Sequence, residues 1–122
     1  MRRAIKLPDI VLLATLFVLN LGYWWLRGSP LPLALYAVMS LATYGVYAWD
    51  KRQAIQGNQR IPESSLHFME LLGGWPGARL AQLKIRHKNR KTAYQWVFWS
   101  IVTLHLLAWL FIFMGNWSTV AA

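Results

Sequence analysis

The chain has 122 residues, of which 57% are hydrophobic, 15% aromatic and only 14% charged, and its mean hydropathy is +0.31. This composition is unusual for a soluble domain and typical of a small membrane protein, here predicted to be one membrane domain over residues 1–122. Cysteine is absent, which excludes disulfides, thiolate catalysis and thiolate metal ligands.

The net charge of +9 comes mostly from three short stretches beside apolar segments, residues 1–6, 50–63 and 84–91. Basic residues in such places are typical of membrane topology signals and of attraction to anionic lipid. We therefore expect membrane lipids with anionic head groups as partners. Nucleic acid is not expected, because most of the apolar surface must face lipid.

Two apolar segments in the first half of the chain are predicted to cross the membrane. Residues 10–26 end in an aromatic run without a small-residue cleavage site, so we interpret them as a retained span rather than a signal peptide. Asn20 within this span is expected to bond to backbone or to a neighbouring helix. The second span, residues 33–49, carries three tyrosines on roughly one helical face, which indicates interhelical packing: Tyr36, Tyr44 and Tyr47.

A third span is predicted over residues 94–114, with His105 near its middle. An ionisable residue at that depth is a functional hypothesis by default. The more common arrangement is a neutral histidine that is hydrogen-bonded to backbone or to a hydroxyl group, and we favour that interpretation.

Residues 62–85 are apolar enough to suggest a fourth span, but three observations oppose it. Residues 73–77 read GGWPG, which breaks a helix, and Glu70 and Arg79 would together cost several kcal/mol at membrane depth. A full crossing would also place the most basic loop outside the cell. If the segment enters and returns, only Arg27 lies outside, and Arg79 could reach back to the interface.

These arguments predict an all-α membrane protein with three transmembrane helices plus a re-entrant or interfacial helix–break–helix between the second and third. The expected location is the bacterial inner membrane, with a cytoplasmic N-terminus and the C-terminus outside. Shallow insertion of residues 62–85 is favoured, because irregular backbone at membrane depth must be buried in protein or line a wet cavity.

One helical stripe in this segment could carry chemistry. Glu63, His67 and Glu70 are spaced at i, i+4 and i+7, which places two carboxylates and an imidazole on one face. With His87 they could hold a divalent metal such as zinc, manganese or iron. Alternatively, His67 could act as a general base beside a carboxylate, or the stripe could be a polar face paired with cations.

The basic loops provide a second candidate site. Asp50 opposes the dipole at the predicted end of the second span, so it should have a cationic partner, with Arg60, Arg86 and Lys88 as candidates. Arginine and lysine side chains in this region could bind a phosphate or carboxylate group. The predicted ligand-binding set comprises Asp50, Lys51, Arg60, Glu63, Arg86, His87, Lys88 and Lys91.

Four short motifs occur in order: Tyr44-x-x-Tyr47-x-x-Asp50-Lys51-x-x-Ala54, Arg60-Ile61-Pro62-Glu63-x-x-Leu66-His67, Gly73-Gly74-x-x-Gly77-Ala78 and Arg86-His87-Lys88-x-x-Lys91. Together they make residues 33–113 resemble the bacterial family called domain of unknown function 1294. The resemblance implies a small bacterial membrane protein and no particular activity. Some family members carry a cold-shock domain before the membrane part; this chain has only a basic tail and one span there, so nucleic-acid binding is not carried over.

The leading functional hypothesis is a cytoplasmic-face site that binds an anionic lipid head group or a small phosphorylated ligand. The first alternative is a metal-assisted membrane enzyme acting on a lipid through Glu63, His67, Glu70 and His87. The second is a structural subunit that packs on a copy of itself or on another membrane protein through its aromatic and small-residue faces.

Overall fold

The computed structural model describes residues 6–85 and 91–115, and these residues contain helices and no strand. Five α-helices follow in order, with a π-helical turn at Glu70–Gly74 between the third and the fourth. They are α1 (Leu7–Arg27), α2 (Leu31–Gln56), α3 (Glu63–Met69), α4 (Trp75–Lys84) and α5 (Thr92–Gly115). The all-α prediction is confirmed.

Helices α1, α2 and α5 are long and apolar enough to cross a membrane, which confirms the three predicted spans. Their outer faces expose large apolar side chains such as Trp25, Leu41 and Trp96, as expected of surfaces that contact lipid. α2 continues to Gln56 instead of ending at residue 49, and it stops where Gly57 adopts a left-handed conformation with φ 74°. Asp50 therefore lies inside the helix and not at its end.

The segment between α2 and α5 is a helix–break–helix, as predicted. Gly73 breaks it with φ 120°, a conformation that favours glycine. The two arms pack mainly against α2. A Cβ atom at Gly74 would collide with the Thr43 hydroxyl, and one at Gly77 with the backbone carbonyl of Ser40. The glycines thus allow α4 to lie directly on the middle of α2.

Both arms of this segment have their outer ends at the same end of the bundle. Lys51 in the last two turns of α2 donates a hydrogen bond to the carbonyl of Ile85, which follows α4. Arg79 of α4 donates to Asp9 in the first turn of α1 at 2.9 Å. We call this the basic end, because it holds Lys6, Lys51, Arg52, Arg60, Lys84 and Lys91. The opposite end, called the Arg27 end, contains the α1–α2 turn.

The sequence suggested that Arg79 reaches back to the membrane interface, but its side chain does not do so. Its side chain is buried between α4, α1 and α5, where it also contacts Gln82 at 3.1 Å and lies 5.0 Å from the centre of the Trp99 ring. A buried guanidinium requires a carboxylate partner, and Asp9 provides one that is distant in sequence.

The core is formed where the helix–break–helix meets α2 and α5, and its fully buried members include Tyr47, Leu66, Trp75, Tyr94 and Phe98. α1 is attached at the side of this core. Asn20 within α1 donates to the Leu16 carbonyl of its own helix at 2.9 Å, which is the backbone bond among the two alternatives expected for it.

Candidate functional site

A fully buried carboxylate lies at the centre of the bundle near the basic end. Glu70 has no exposed surface, and one of its oxygens accepts hydrogen bonds from the Tyr47 and Tyr94 hydroxyl groups. The other oxygen is 2.6 Å from His67 Nδ1. We call His67, Glu70, Tyr47 and Tyr94 the Glu70 cluster.

Each member of the Glu70 cluster is positioned by a different part of the fold. Tyr47 comes from α2, Tyr94 from the first turn of α5, and His67 from α3. Glu70 begins the π-helical turn, three residues after His67. The imidazole ring of His67 also packs on the Tyr94 ring, with centroids 4.1 Å apart. The cluster therefore joins three helices through one carboxyl group.

Burial raises the pKa of Glu70 above its ordinary value, and the hydrogen bonds from Tyr47 and His67 only partly oppose this rise. When Nδ1–H of His67 donates to the Glu70 carboxylate, the lone pair of the imidazole is on Nε2. The His67 side chain is 15% exposed, so the ring joins the buried carboxylate to the surface. This is the geometry of an imidazole oriented as a proton acceptor.

Two further carboxylates form ion pairs at the basic end. Asp50 is fully buried and accepts from the Ile61 N–H at 2.8 Å and from Arg60 at 3.4 Å, which confirms that it has the expected cationic partner. Glu63 pairs with Lys91 at 2.6 Å. The Asp50 contacts tie the loop after α2 back to α2, and the Glu63–Lys91 pair ties the start of α5 to α3.

The predicted stripe does not act as one unit in the described part of the chain. His67 and Glu70 meet each other, whereas Glu63 pairs with Lys91. Within residues 6–85 and 91–115, no three His, Asp or Glu side chains lie close enough to hold a metal ion. His87 falls outside these residues, together with Arg86 and Lys88, so the metal site and their binding roles stay predictions.

A cavity of about 430 Å³ opens at the basic end between the ends of α2 and α4. We call it the basic cavity. Every ionisable side chain among the described residues that line it is a cation, namely Lys51, Arg52 and Lys84, and Ala48, Ile55, Gln56 and Ile85 complete the lining. It therefore combines positive charge with apolar surface.

Sequence reasoning missed several of these roles. Tyr47 was interpreted as a packing residue and Tyr94 only as the start of a span, because tyrosine is common in both places. Arg52 and Lys84 belong to the basic stretches of the sequence but not to the predicted ligand-binding set. Tyr47 and Glu70 are distant in sequence, so spacing could not predict their contact. The only sequence feature that singled out Tyr47 was its place in the first of the four motifs.

His105 is hydrogen-bonded as predicted. Its Nδ1 lies 2.6 Å from the Tyr36 hydroxyl, and its Nε2 lies 2.9 Å from the Leu71 carbonyl. Pro76 has no N–H, so it cannot donate to that carbonyl in the i to i+5 pattern of the π-helical turn. His105 therefore satisfies a backbone group at the break.

The profile of the family described as "Protein of unknown function (DUF1294)" matches residues 40–94, which confirms the resemblance over that region. The matched region contains the whole Glu70 cluster and the residues that line the basic cavity. No curated protein and no solved structure matches this chain.

Proposed function

We propose that this membrane protein, whose residues 40–94 match the DUF1294 family, binds an anionic lipid head group or a small phosphorylated ligand in the basic cavity. The supporting observation is the lining of that cavity. Lys51, Arg52 and Lys84 line one volume of about 430 Å³, and none of the described residues that line it is acidic. Ammonium and guanidinium groups of this kind bind phosphate oxygens through charge-assisted hydrogen bonds.

The apolar part of the lining favours a lipid over a free phosphate. Ala48, Ile55 and Ile85 provide surface for the first carbons of an acyl chain beside the cations. Arg60 and Lys91, which belong to the predicted set, are paired with Asp50 and Glu63. In this proposal they hold the loops in place, and Arg86, His87 and Lys88, which follow Ile85 in sequence, add contacts to the ligand.

The orientation that we propose places the basic end in the cytoplasm of a bacterium, at the inner membrane. This agrees with the positive-inside rule, since Arg27 is the only lysine or arginine at the opposite end. The N-terminus is then cytoplasmic and the C-terminus outside.

We further propose that α3 and α4 form a re-entrant hairpin rather than an interfacial one. A Cβ atom at Gly73 would lie 3.7 Å from the side chains of Leu35 and Tyr36, so the break lies beside the first third of α2, past its midpoint as counted from the basic end. Leu35 precedes Asp50 by roughly 22 Å along the helix, which is more than half of a hydrocarbon core of about 30 Å. The break is covered by α2 and α5, as irregular backbone at that depth requires.

Native mass spectrometry of the purified protein with phosphatidylglycerol tests the lipid proposal. The variant is Arg52→Gln combined with Lys84→Gln, and Lys51 is kept because it also bonds to Ile85. Each cation near the surface contributes about 1 kcal/mol to the binding of anionic lipid, so the double variant should bind about 30-fold more weakly.

The matched control combines Arg3→Gln with Lys6→Gln, which removes the same charge from the N-terminal stretch and changes no residue that lines the cavity. It should retain phosphatidylglycerol. Equal losses in both double variants would show that net charge, and not the cavity, holds the lipid. Competition by inorganic phosphate, without any preference for the lipid, would identify a small phosphorylated ligand.

The paired His67 and Glu70 favour a second candidate function, the membrane enzyme acting on a lipid. In this alternative, His67 accepts a proton through Nε2 while Glu70 orients the ring. Its metal-assisted form predicts a bound divalent metal that is lost in His67→Ala. Metal analysis of both purified proteins distinguishes it, and the same metal content in the two would exclude His67 as a ligand.

A further inference from the structure

The charges around the basic cavity indicate which kind of phosphate group suits it. Three cations line the cavity, namely Lys51, Arg52 and Lys84. Two helices also end there, because Gln56 is the last residue of α2 and Ile85 follows the last residue of α4, and both belong to the lining. The carbonyl end of a helix carries about half a negative charge. The described part of the cavity wall therefore has a net charge of about +2.

The three cations differ in what they already bind. Lys51 donates to the Ile85 carbonyl, so one of its N–H groups is occupied. Arg52 and Lys84 are exposed, and neither makes a hydrogen bond or an ion pair with another residue in the part of the chain that the structure describes. Arg52 belongs to α2 and Lys84 to α4. A ligand that enters the cavity thus meets two available cations from two helices.

A phosphate monoester fits this lining better than a phosphate diester. The monoester carries a charge of about −1.5 to −2 at pH 7 and has three terminal oxygens. The diester carries a single charge and has only two oxygens outside its ester linkages. Two oxygens of the monoester can accept from the fork of the Arg52 guanidinium, and the third can accept from the Lys84 ammonium group. A diester that bonds to Arg52 in this way has no further terminal oxygen for Lys84.

Building on the proposed function, we propose that the basic cavity selects ligands that end in a phosphate monoester, such as a phosphatidate-type lipid, over phosphodiester lipids such as phosphatidylglycerol. A dianion neutralises the net charge of the lining, whereas a monoanion leaves about one positive charge uncompensated. The same monoester also occurs in small phosphorylated molecules, so the shared chemistry is the terminal phosphate.

Native mass spectrometry of the protein with phosphatidate and phosphatidylglycerol, mixed in equal amounts and with the same acyl chains, tests the proposal. At pH 7.5 the protein should retain phosphatidate about tenfold more strongly, because the second negative charge interacts with several cations at once. Equal retention of the two lipids would overturn the selectivity and leave anionic-lipid binding in place. If Arg52→Gln with Lys84→Gln retains both lipids as the original protein does, the proposed function itself fails.

A single variant locates the selectivity in the cavity. Lys84→Gln should lower the preference for phosphatidate to about twofold, because the third phosphate oxygen loses its donor. Lys6→Gln is the matched control, since it removes the same charge from the N-terminal stretch and does not line the cavity. It should keep the full preference. An equal fall in the two variants would assign the preference to net charge and overturn the proposed contact.

The pH provides a test that depends on the ligand. The second pKa of a phosphate monoester is about 6, so phosphatidate loses most of its second charge between pH 7.5 and 5.5, while phosphatidylglycerol keeps its single charge. The described lining contains no histidine or carboxylate. The preference should therefore fall to about twofold at pH 5.5. Protonation of His87, two positions after Ile85, would instead raise it, and a preference that is unchanged or higher at pH 5.5 would contradict the proposal.

Glycerol 3-phosphate carries the same phosphate monoester without acyl chains, and it identifies the source of the head group. Displacement of phosphatidate by an equal concentration would identify a small phosphorylated ligand. Displacement only by a large excess would identify a lipid, as expected from the apolar residues Ala48, Ile55 and Ile85 in the lining. Both results support a monoester site, whereas equally strong displacement by glycerophosphoglycerol, a diester, would overturn it.

Discussion

Glu70 is the residue whose environment departs most from what its chemistry prefers. It is a carboxyl group with no exposed surface, inside a bundle whose outer faces are suited to lipid. An unpaired carboxylate in such a place would cost several kcal/mol. Two tyrosine hydroxyls and one imidazole supply the compensating hydrogen bonds. These hydrogen bonds join α2, α3 and α5 through one carboxyl group.

Glu70→Gln should change how stability depends on pH. Burial raises the pKa of Glu70 above its ordinary value of 4.5, so folding favours the protonated form. The resulting stabilisation is fully present below the ordinary value and is lost as the pH rises through the raised one. The unfolding free energy of the original protein should therefore fall relative to that of Glu70→Gln as the pH increases through this range.

The control for this experiment is Glu63→Gln, which removes a carboxylate from a partly exposed ion pair. An equal trend in the control would assign the effect to net charge rather than to burial. A pH-independent difference between the original protein and Glu70→Gln would contradict the expected ionisation of Glu70.

His105→Ala should destabilise the fold by about 1–2 kcal/mol, because it leaves the Leu71 carbonyl and the Tyr36 hydroxyl without the partner that each has now. Unfolding in mixed micelles measures the loss. Thr103→Ala, on an exposed face of the same helix, removes only a bond to the Trp99 carbonyl and should have little effect. Equal losses would mean that His105 does not stabilise the break.

At the residue scale, sequence spacing predicted part of the candidate site. The i, i+4, i+7 pattern correctly placed His67 and Glu70 near each other, because both lie on one short helical segment. It could not show that Glu63 would pair with Lys91, or that Tyr47 and Tyr94 would bond to Glu70. Those contacts join residues 23 or more positions apart, and they depend on how three helices pack.

At the scale of elements, the contact between α2 and α4 depends on two small residues. Gly74 and Gly77 lie against Thr43 and Ser40 so closely that no Cβ atom fits without movement. Close approach of this kind is typical of helices that associate in membranes. The sequence indicated a break at residues 73–77. It did not indicate that two of these glycines allow close packing, because a glycine that breaks a helix and a glycine that lets helices approach cannot be distinguished by sequence alone.

Gly77→Ala should therefore cost about 3 kcal/mol in unfolding free energy, because the methyl group must displace the backbone of α2. Gly45→Ala is the matched control, since a Cβ atom at Gly45 on α2 meets nothing within 4 Å. The control should be neutral or stabilising by about 0.5–1 kcal/mol, because alanine favours a helix. Similar stability of the two variants in mixed micelles would contradict close packing at Gly77.

At the scale of the whole molecule, composition and hydropathy were sufficient to predict the three spans, because each is a long local pattern. Charge distribution also predicted that the segment between α2 and α5 turns back. Neither could predict the pairing of Arg79 with Asp9, which are 70 residues apart, or the length of α2 beyond residue 49. The mostly polar residues 50–56 contain no glycine or proline and remain helical, and the helix ends where Gly57 adopts the left-handed conformation.

The proposed orientation is testable by cysteine labelling, because the chain has no cysteine of its own. Asn58→Cys and Lys84→Cys, both exposed at the basic end, should react with a membrane-impermeant maleimide only after the cytoplasmic side is opened. Leu31→Cys, at a position that is 73% exposed beside the α1–α2 turn, should react from outside. Leu72→Cys at the break should not react from the cytoplasmic side, because a re-entrant hairpin places it deep in the hydrocarbon core, beside the first third of α2. Cytoplasmic labelling of Leu72→Cys to the same extent as Asn58→Cys would show that the hairpin lies in the interface. Labelling of Leu31→Cys and Lys84→Cys from the same side of the membrane would contradict the proposed topology.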